Sequence, residues 1–245
     1  MIIVAGGTRG IGLEIAEHFA RKGATVVAVY VRDDAAAEAA RLRLSVHGGD
    51  VHVVRADLAS AAGCAELARA IEGIAEPVDV LVHSVVRAFV GSLLDVDLEQ
   101  FSRSIDANGT SLLWCVRALL PRMRAGSSVL YLTSRGGRVV IPGYAAVGVA
   151  KALAESLLRY LAVELAPRGI RINAVAPSIV DTGAVRTLFA GSATKALDDA
   201  ARKNPSGRAI LPADYTAVVD FLTSPAAAFV QGQIVSVNGG SNLMA

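Results

Sequence analysis

Aromatic residues make up only 5% of this 245-residue chain, so its interior has to be built from Ala, Val, Leu and Ile. Charge is also scarce: 19% of residues are charged and the formal net charge is +2. The basic residues are scattered instead of forming a stripe, which argues against nucleic acid or an anionic membrane as partner. Long apolar runs are missing. None approaches the ~20 residues that span a bilayer, and the opening Met1-Ile2-Ile3-Val4-Ala5 is too short for a signal peptide. Two cysteines, Cys64 and Cys115, lack metal or redox spacing and read as small buried apolar residues. Four histidines (His18, His47, His52, His83) show no ligand pattern. These absences lead to the expectation of a cytoplasmic, metal-free, disulfide-free protein.

Apolar residues are abundant, at 53%, and the chain is long enough for a large α/β core. Short runs rich in Val, Ile and Leu, without polar alternation, predict strands at 2–5, 25–30, 51–55, 78–83, 128–132, 170–175 and 233–237. Helical patterns lie between them at 11–22, 35–46, 61–74, 98–124, 144–166 and 212–223. Repeated β-α units imply a parallel sheet with right-handed crossovers and helices on both faces. No linker or repeat divides the chain, so 1–245 reads as a single α/β domain. One connection is long: residues 177–211 contain no strand, only weak helical patches at 184–190 and 193–203. An insertion at the carboxyl edge of a parallel sheet lies where ligands bind. Its Val185, Leu188 and Phe189 would suit a lid over an apolar substrate.

Gly6-Gly7-Thr8-Arg9-Gly10-Ile11-Gly12 follows the first strand and opens the first helix. Glycines there allow a tight turn and bring amide N–H groups up to a pyrophosphate at the helix N-terminus. Further along, Tyr144 and Lys151 stand seven residues apart at the head of a long helical segment. Two turns of helix bring such positions to nearly one face, about 20° out of register and roughly 10.5 Å apart in rise. They share a site only if the tyrosine leans or the helix starts late.

With these motifs in order, the chain resembles the short-chain dehydrogenase/reductase family over nearly its whole length. Gly6, Gly10 and Gly12 match that family's Gly-x-x-x-Gly-x-Gly loop, and Asp57 in Arg-Ala-Asp-Leu the residue that family members place near the adenine. Asn108, Ser134, Lys151, Asn173, Pro177, Thr182 and Asn238-Gly239-Gly240 follow in sequence. The resemblance implies a Rossmann-type doubly wound fold of about seven parallel strands. It also implies a cofactor site drawn from Gly6, Thr8, Arg9, Gly10, Ile11, Gly12, Arg32, Asp57, Leu58, His83, Ser84, Lys151, Pro177, Ile179 and Thr182. The second strand ends at Tyr30-Val31 without an acid, and Arg32 follows, with Arg9 in the glycine loop. Arginines there would pair with a 2′-phosphate, whereas an acid would accept from a 2′-hydroxyl. This favours NADPH over NADH, although Asp33 or Asp34 could bend back toward the ribose.

In ordinary members of the family the active tyrosine lies four residues before the lysine, a position held here by Val147. Tyr144 is one turn upstream, an arrangement similar to the enoyl-acyl-carrier-protein reductases, whose tyrosine and lysine flank six residues. A preorganised donor must sit where charge develops. In conjugate reduction that is an enolate oxygen several bonds from the carbon receiving hydride, and three residues move the donor by roughly 4.5 Å along the helix. The implied catalytic set is Tyr144, Lys151, Ser134 and Asn108, with Lys151 lowering the tyrosine pKa. Ser134 could instead only cap a loop, and Asn108 only hold backbone or water. His83 reads as a strand-end residue near the cofactor.

The expected function is NADPH-dependent reduction of the C=C bond of an α,β-unsaturated carbonyl, with a trans-2-enoyl thioester as the expected substrate, small or carried on an acyl carrier. Alternatives are a carbonyl (3-ketoacyl or ketone) reductase, an enone reductase of secondary metabolism, and a non-catalytic NADP-binding sensor or subunit. The resemblance implies a homotetramer, or alternatively a homodimer, built through the long helices.

Overall fold

The computed structural model describes residues 1–189, 191–241 and 243. Strands and helices alternate: β1 (Ile2–Ala5), α1 (Gly10–Arg21), β2 (Val26–Tyr30), α2 (Asp34–Ser45), β3 (Val51–Arg55), α3 (Ala61–Ala70) and β4 (Val78–His83). Then come α4 (Leu98–Ile105), α5 (Ser111–Leu119), β5 (Met123–Leu132), α6 (Ala145–Leu165), β6 (Arg171–Pro177), α7 (Gly183–Leu188), α8 (Ala193–Lys203), α9 (Pro212–Thr223) and β7 (Ile234–Val237). The seven strands form one sheet in the order β3-β2-β1-β4-β5-β6-β7, every neighbouring pair parallel.

Alternation along the strands divides the core. Ile3, Ala5, Val27 and Val29 face a cluster built with Leu67 of α3, Leu112 and Leu119 of α5, and Leu158 of α6. Ile2, Val4, Val26 and Ala28 face the opposite cluster, with Ile15 and Phe19 of α1, Leu44 of α2 and Leu222 of α9. Each fully buried Val, Leu or Ile contributes about 1.5–3 kcal/mol relative to exposure, and with few rings available these branched chains carry both layers. Cys64 and Cys115 are buried free thiols in the first layer, their sulfurs 3.5 Å apart. Among the described residues no helix is long and apolar enough to cross a membrane.

The single helix expected over 98–124 is instead interrupted. Residues Asp106–Thr110 form a π-helical turn between α4 and α5, in which the Ser111 N–H bonds Asp106 O, and Leu120–Arg122 close as a 3₁₀ turn. Asn108 Nδ2 donates to Ser104 O at 2.9 Å, so the side chain takes the carbonyl that the α-helical ladder would give to its own N–H. Pro121 prevents α5 from continuing as an α-helix. β5 therefore begins at Met123, five residues earlier than the apolar run predicts. Two helices, α7 and α8, occupy the long insertion; residue 190, the end of the first expected patch, lies outside the described residues.

Candidate active site

A cavity of about 780 Å³ opens along the carboxyl edge of the sheet. Residues at or just beyond the ends of five strands contribute to its wall: Gly10 after β1, Ser84 after β4, Ser134 after β5, Ile179 after β6 and Asn238 after β7. The lid residues Val185, Leu188 and Phe189 line the other side.

The glycine loop shapes one end. Gly6 and Gly10 have φ of 77° and 55°, values that favour glycine. A β-carbon on Gly12 would lie 2.1 Å from Gly6 O, so only glycine lets α1 start this close to the turn. The N-terminus of α1 thus faces the cavity through Gly10 and Ile11. Thr182, which caps α7 by accepting from Val185 N, also packs its methyl near Gly10.

At the other end α6 starts late. Its first helical residue is Ala145, leaving Tyr144 as the N-cap with φ −100° and ψ 4°. The phenol can therefore swing off the helix face and meet Ser134, with Tyr144 Oη and Ser134 Oγ 3.1 Å apart. Ser134 also caps the Arg135–Gly137 turn, accepting from Gly136 N at 3.2 Å, so its hydroxyl serves both purposes raised by the sequence. Gly136 is the shelf under the ring: a β-carbon there would approach two ring carbons to 2.5 Å. Val147, one turn nearer Lys151, is fully buried. Lys151 lines the cavity yet is only 4% exposed. Its ammonium donates to Leu132 O at 2.7 Å and lies 4.6 Å above the Tyr131 ring.

Burial draws the Lys151 pKa down to about 7, with the Glu155 charge opposing it. Burial pushes the Tyr144 phenol up, and the Ser134 hydrogen bond pulls it partly back. The lysine is engaged with the Leu132 carbonyl and the Tyr131 ring, and the phenol responds to burial and Ser134 instead.

Of the expected cofactor residues, Arg9, Gly10, Ile11, Ser84, Lys151, Pro177, Ile179 and Thr182 line the cavity. Gly6, Thr8 and Gly12 form the loop behind it, and Leu58 is buried beyond β3. Arg32 and Asp57 are exposed past the ends of β2 and β3, outside the wall. Arg32 has no ion-pair partner among the described residues, whereas Asp33 caps α2 through Ala36 N and pairs with Arg9 at 3.3 Å.

Two residues of the expected site, His83 at the end of β4 and Asn108 in the π turn, lie outside the cavity wall. His83 is fully buried and does not line the cavity. Its Nε2 bonds Ser111 Oγ at 2.8 Å, and because Ser111 donates onward to Ala107 O, the histidine is the donor. Burial, then the Lys151 charge, holds its pKa at about 3, so it is neutral and structural. Asn108 also lies outside the wall. Its Oδ1 accepts from Arg87 N at 2.9 Å, and its Nδ2 donates to Arg87 O, Ser104 O and Ser104 Oγ. Its carbonyl accepts from the Tyr131 hydroxyl. Asn108 pins the segment after β4 to the π turn and touches the cavity only through that segment.

The sequence reading missed Gly136, Arg138 and Glu155. Arg138 lines the cavity and stands 3.6 Å from buried Glu155. A signal existed: Glu155 is the one acid in the largely apolar stretch Ala145–Leu158, four residues after its one lysine, Lys151.

A family model described as enoyl-(acyl carrier protein) reductase matches residues 5–242. The 3-oxoacyl-[acyl-carrier-protein] reductase of Synechocystis is 31% identical over 242 residues, covering 97% of this chain and 95% of its own. Among solved structures, the RhlG/NADP active-site complex of Pseudomonas aeruginosa superposes with TM-score 0.88 at 30% identity, covering 99% of this chain and 96% of that one. The enoyl-[acyl-carrier-protein] reductase (NADH) of Aquifex aeolicus gives TM-score 0.88 at 30% identity over 100% and 96%. The parallel sheet, the glycine loop and these matches together place the chain in the short-chain dehydrogenase/reductase family of oxidoreductases.

Proposed function

We propose that the protein is an NADPH-dependent reductase of the C=C bond of an α,β-unsaturated carbonyl, with a trans-2-enoyl thioester as substrate. The observation that carries this reading is the position of Tyr144. The phenol stands in the cavity wall at the N-cap of α6, while the site one turn closer to Lys151 is sealed in the core as Val147. The hydrogen-bond donor is thereby displaced from the lysine, as an enolate oxygen remote from the hydride-accepting carbon requires.

The residues present fit a dinucleotide. Gly6, Gly10 and Gly12 leave a cradle that a β-carbon would fill, at the N-terminus of α1. Arg32, without an acidic partner among the described residues, suits a 2′-phosphate, and Asp33 is committed to Arg9 and the α2 cap. Asp34 is likewise engaged, accepting from Tyr30 Oη at 2.8 Å. A bound NADPH supplies hydride. Lys151, which lines the cavity with its ammonium on Leu132 O, would hold ribose hydroxyls. Tyr144, a phenol whose pKa burial pushes up further, would donate its O–H to the substrate carbonyl oxygen and stabilise the enolate as it forms. Ser134 orients the phenol from 3.1 Å. Val185, Leu188 and Phe189 give an apolar cover that excludes water. Exposed Tyr160 and Val163 on α6, 71% and 73% accessible, support assembly of a homotetramer through that helix.

The runner-up is a carbonyl reductase, favoured by the same Ser134–Tyr144 hydrogen bond acting on a ketone. The test is NADPH oxidation with a trans-2-enoyl thioester against the matching 3-oxoacyl thioester. Turnover of the enoyl substrate at least about tenfold faster supports the proposal. Preference for the 3-oxoacyl substrate replaces it with the runner-up.

A further inference from the structure

Glu155 is a carboxylate buried to 4% exposure in the middle of α6, one turn after Lys151. An acid in such a place is costly unless it is held and neutralised. Thr133 Oγ1 donates to its Oε1 at 2.6 Å, and Arg138 Nε stands 3.6 Å from its Oε2. A β-carbon on Gly137 would come within 3.1 Å of Oε1, so the Arg135–Gly137 turn lies directly against the carboxylate. This is the turn that Ser134 caps and whose Gly136 underlies the Tyr144 ring.

The groups facing Lys151 come from several elements. β5 contributes the Tyr131 ring and the Leu132 carbonyl, and β4 the neutral His83. Tyr144, neutral as well, shares the cavity wall, and the turn supplies Arg138, itself a cation. Asp199 of α8 also lines the cavity but is paired with Lys195 and Arg202, which leaves Glu155 as the anion of the set on α6, one turn from Lys151. From these placements we propose that Glu155 is the counter-charge that keeps buried Lys151 protonated, and is thereby a positioning residue of the active site. Thr133 and Arg138 fix where that charge stands. The proposal builds on Lys151 acting as a cation in the reading above, because a neutral amine would hold ribose hydroxyls less firmly.

The chain has four lysines, Lys22, Lys151, Lys195 and Lys203, so the protein labelled with ¹³C at lysine Cε gives a resolvable NMR titration. The Lys151 signal is assigned by its loss in Lys151→Arg. In the wild type the expected midpoint is about 7. In Glu155→Gln, which retains an acceptor for Thr133 but no charge, the midpoint falls by about one pH unit. In Thr133→Val it shifts by less than in Glu155→Gln, since the charge remains. An unmoved midpoint in Glu155→Gln overturns the proposal. If Glu155→Gln does not fold, Arg138→Gln decides instead: it frees the carboxylate charge and raises the midpoint, and an unmoved or lower midpoint overturns the proposal. No substrate enters this titration, so failure of enoyl reduction would remove the proposed reaction and leave the result on Glu155 standing.

Discussion

Tyr144 does its work through two contacts, Ser134 on one side of its hydroxyl and the Gly136 shelf beneath its ring. Tyr144→Phe keeps the shelf and the lysine but removes the donor. We expect kcat for enoyl reduction to fall by about 10²–10⁴-fold, with NADPH affinity measured by fluorescence titration essentially unchanged. Equal loss of affinity and turnover would mean that the ring positions the cofactor instead. Much of this site was legible residue by residue. The glycine loop and the Tyr144/Lys151 spacing are local patterns, and each pattern has a physical reason within a few residues of chain. The sequence also posed the question of whether the helix starts late, and the N-cap geometry of Tyr144 answers it. Gly136, Arg138 and Glu155 were not legible, because their roles arise where a turn after β5 meets α6, a contact no spacing rule encodes.

At the scale of elements, the strands other than β5 and the helices α1, α2, α6 and α9 follow apolar periodicity to within a few residues. The segment 98–124 does not. Its helical pattern is continuous, but Asn108 reaches across to Arg87 and back to Ser104, and these tertiary bonds widen the helix locally. The same side chain therefore explains both the π turn and its own removal from the cavity. The α1–α2 pair has a comparable polar tie. Burial raises the Glu17 carboxyl, but hydrogen bonds from Arg43, His47 and Arg21 outweigh it and hold the pKa at about 2, below the ordinary 4.5. A carboxylate with a depressed folded pKa stabilises the protein above its unfolded value, and that contribution is lost as pH falls through the folded one. Glu17→Gln should therefore lower the Tm at pH 7, with the gap to the wild type closing as pH drops from about 4.5 toward about 2. A gap independent of pH across that window would show that packing, not charge, sets the contribution of Glu17.

Over the whole molecule, the order β3-β2-β1-β4-β5-β6-β7 brings residues from after five strand ends to one edge, and the α7–α8 insertion covers it. Parallel strands joined by helices leave their carboxyl ends as the shared site, so a repeated β-α pattern already implied where chemistry would lie. The family follows from that architecture and from the matches to known oxidoreductases. The choice between C=C and C=O reduction rests on Tyr144 alone, and one substrate can pose it directly. A conjugated enone offers both bonds to the same hydride. With NADPH deuterated at the transferring C4 position, the account predicts a saturated ketone carrying deuterium on the β-carbon, read by NMR of the product. An allylic alcohol with deuterium on its carbinol carbon would contradict it.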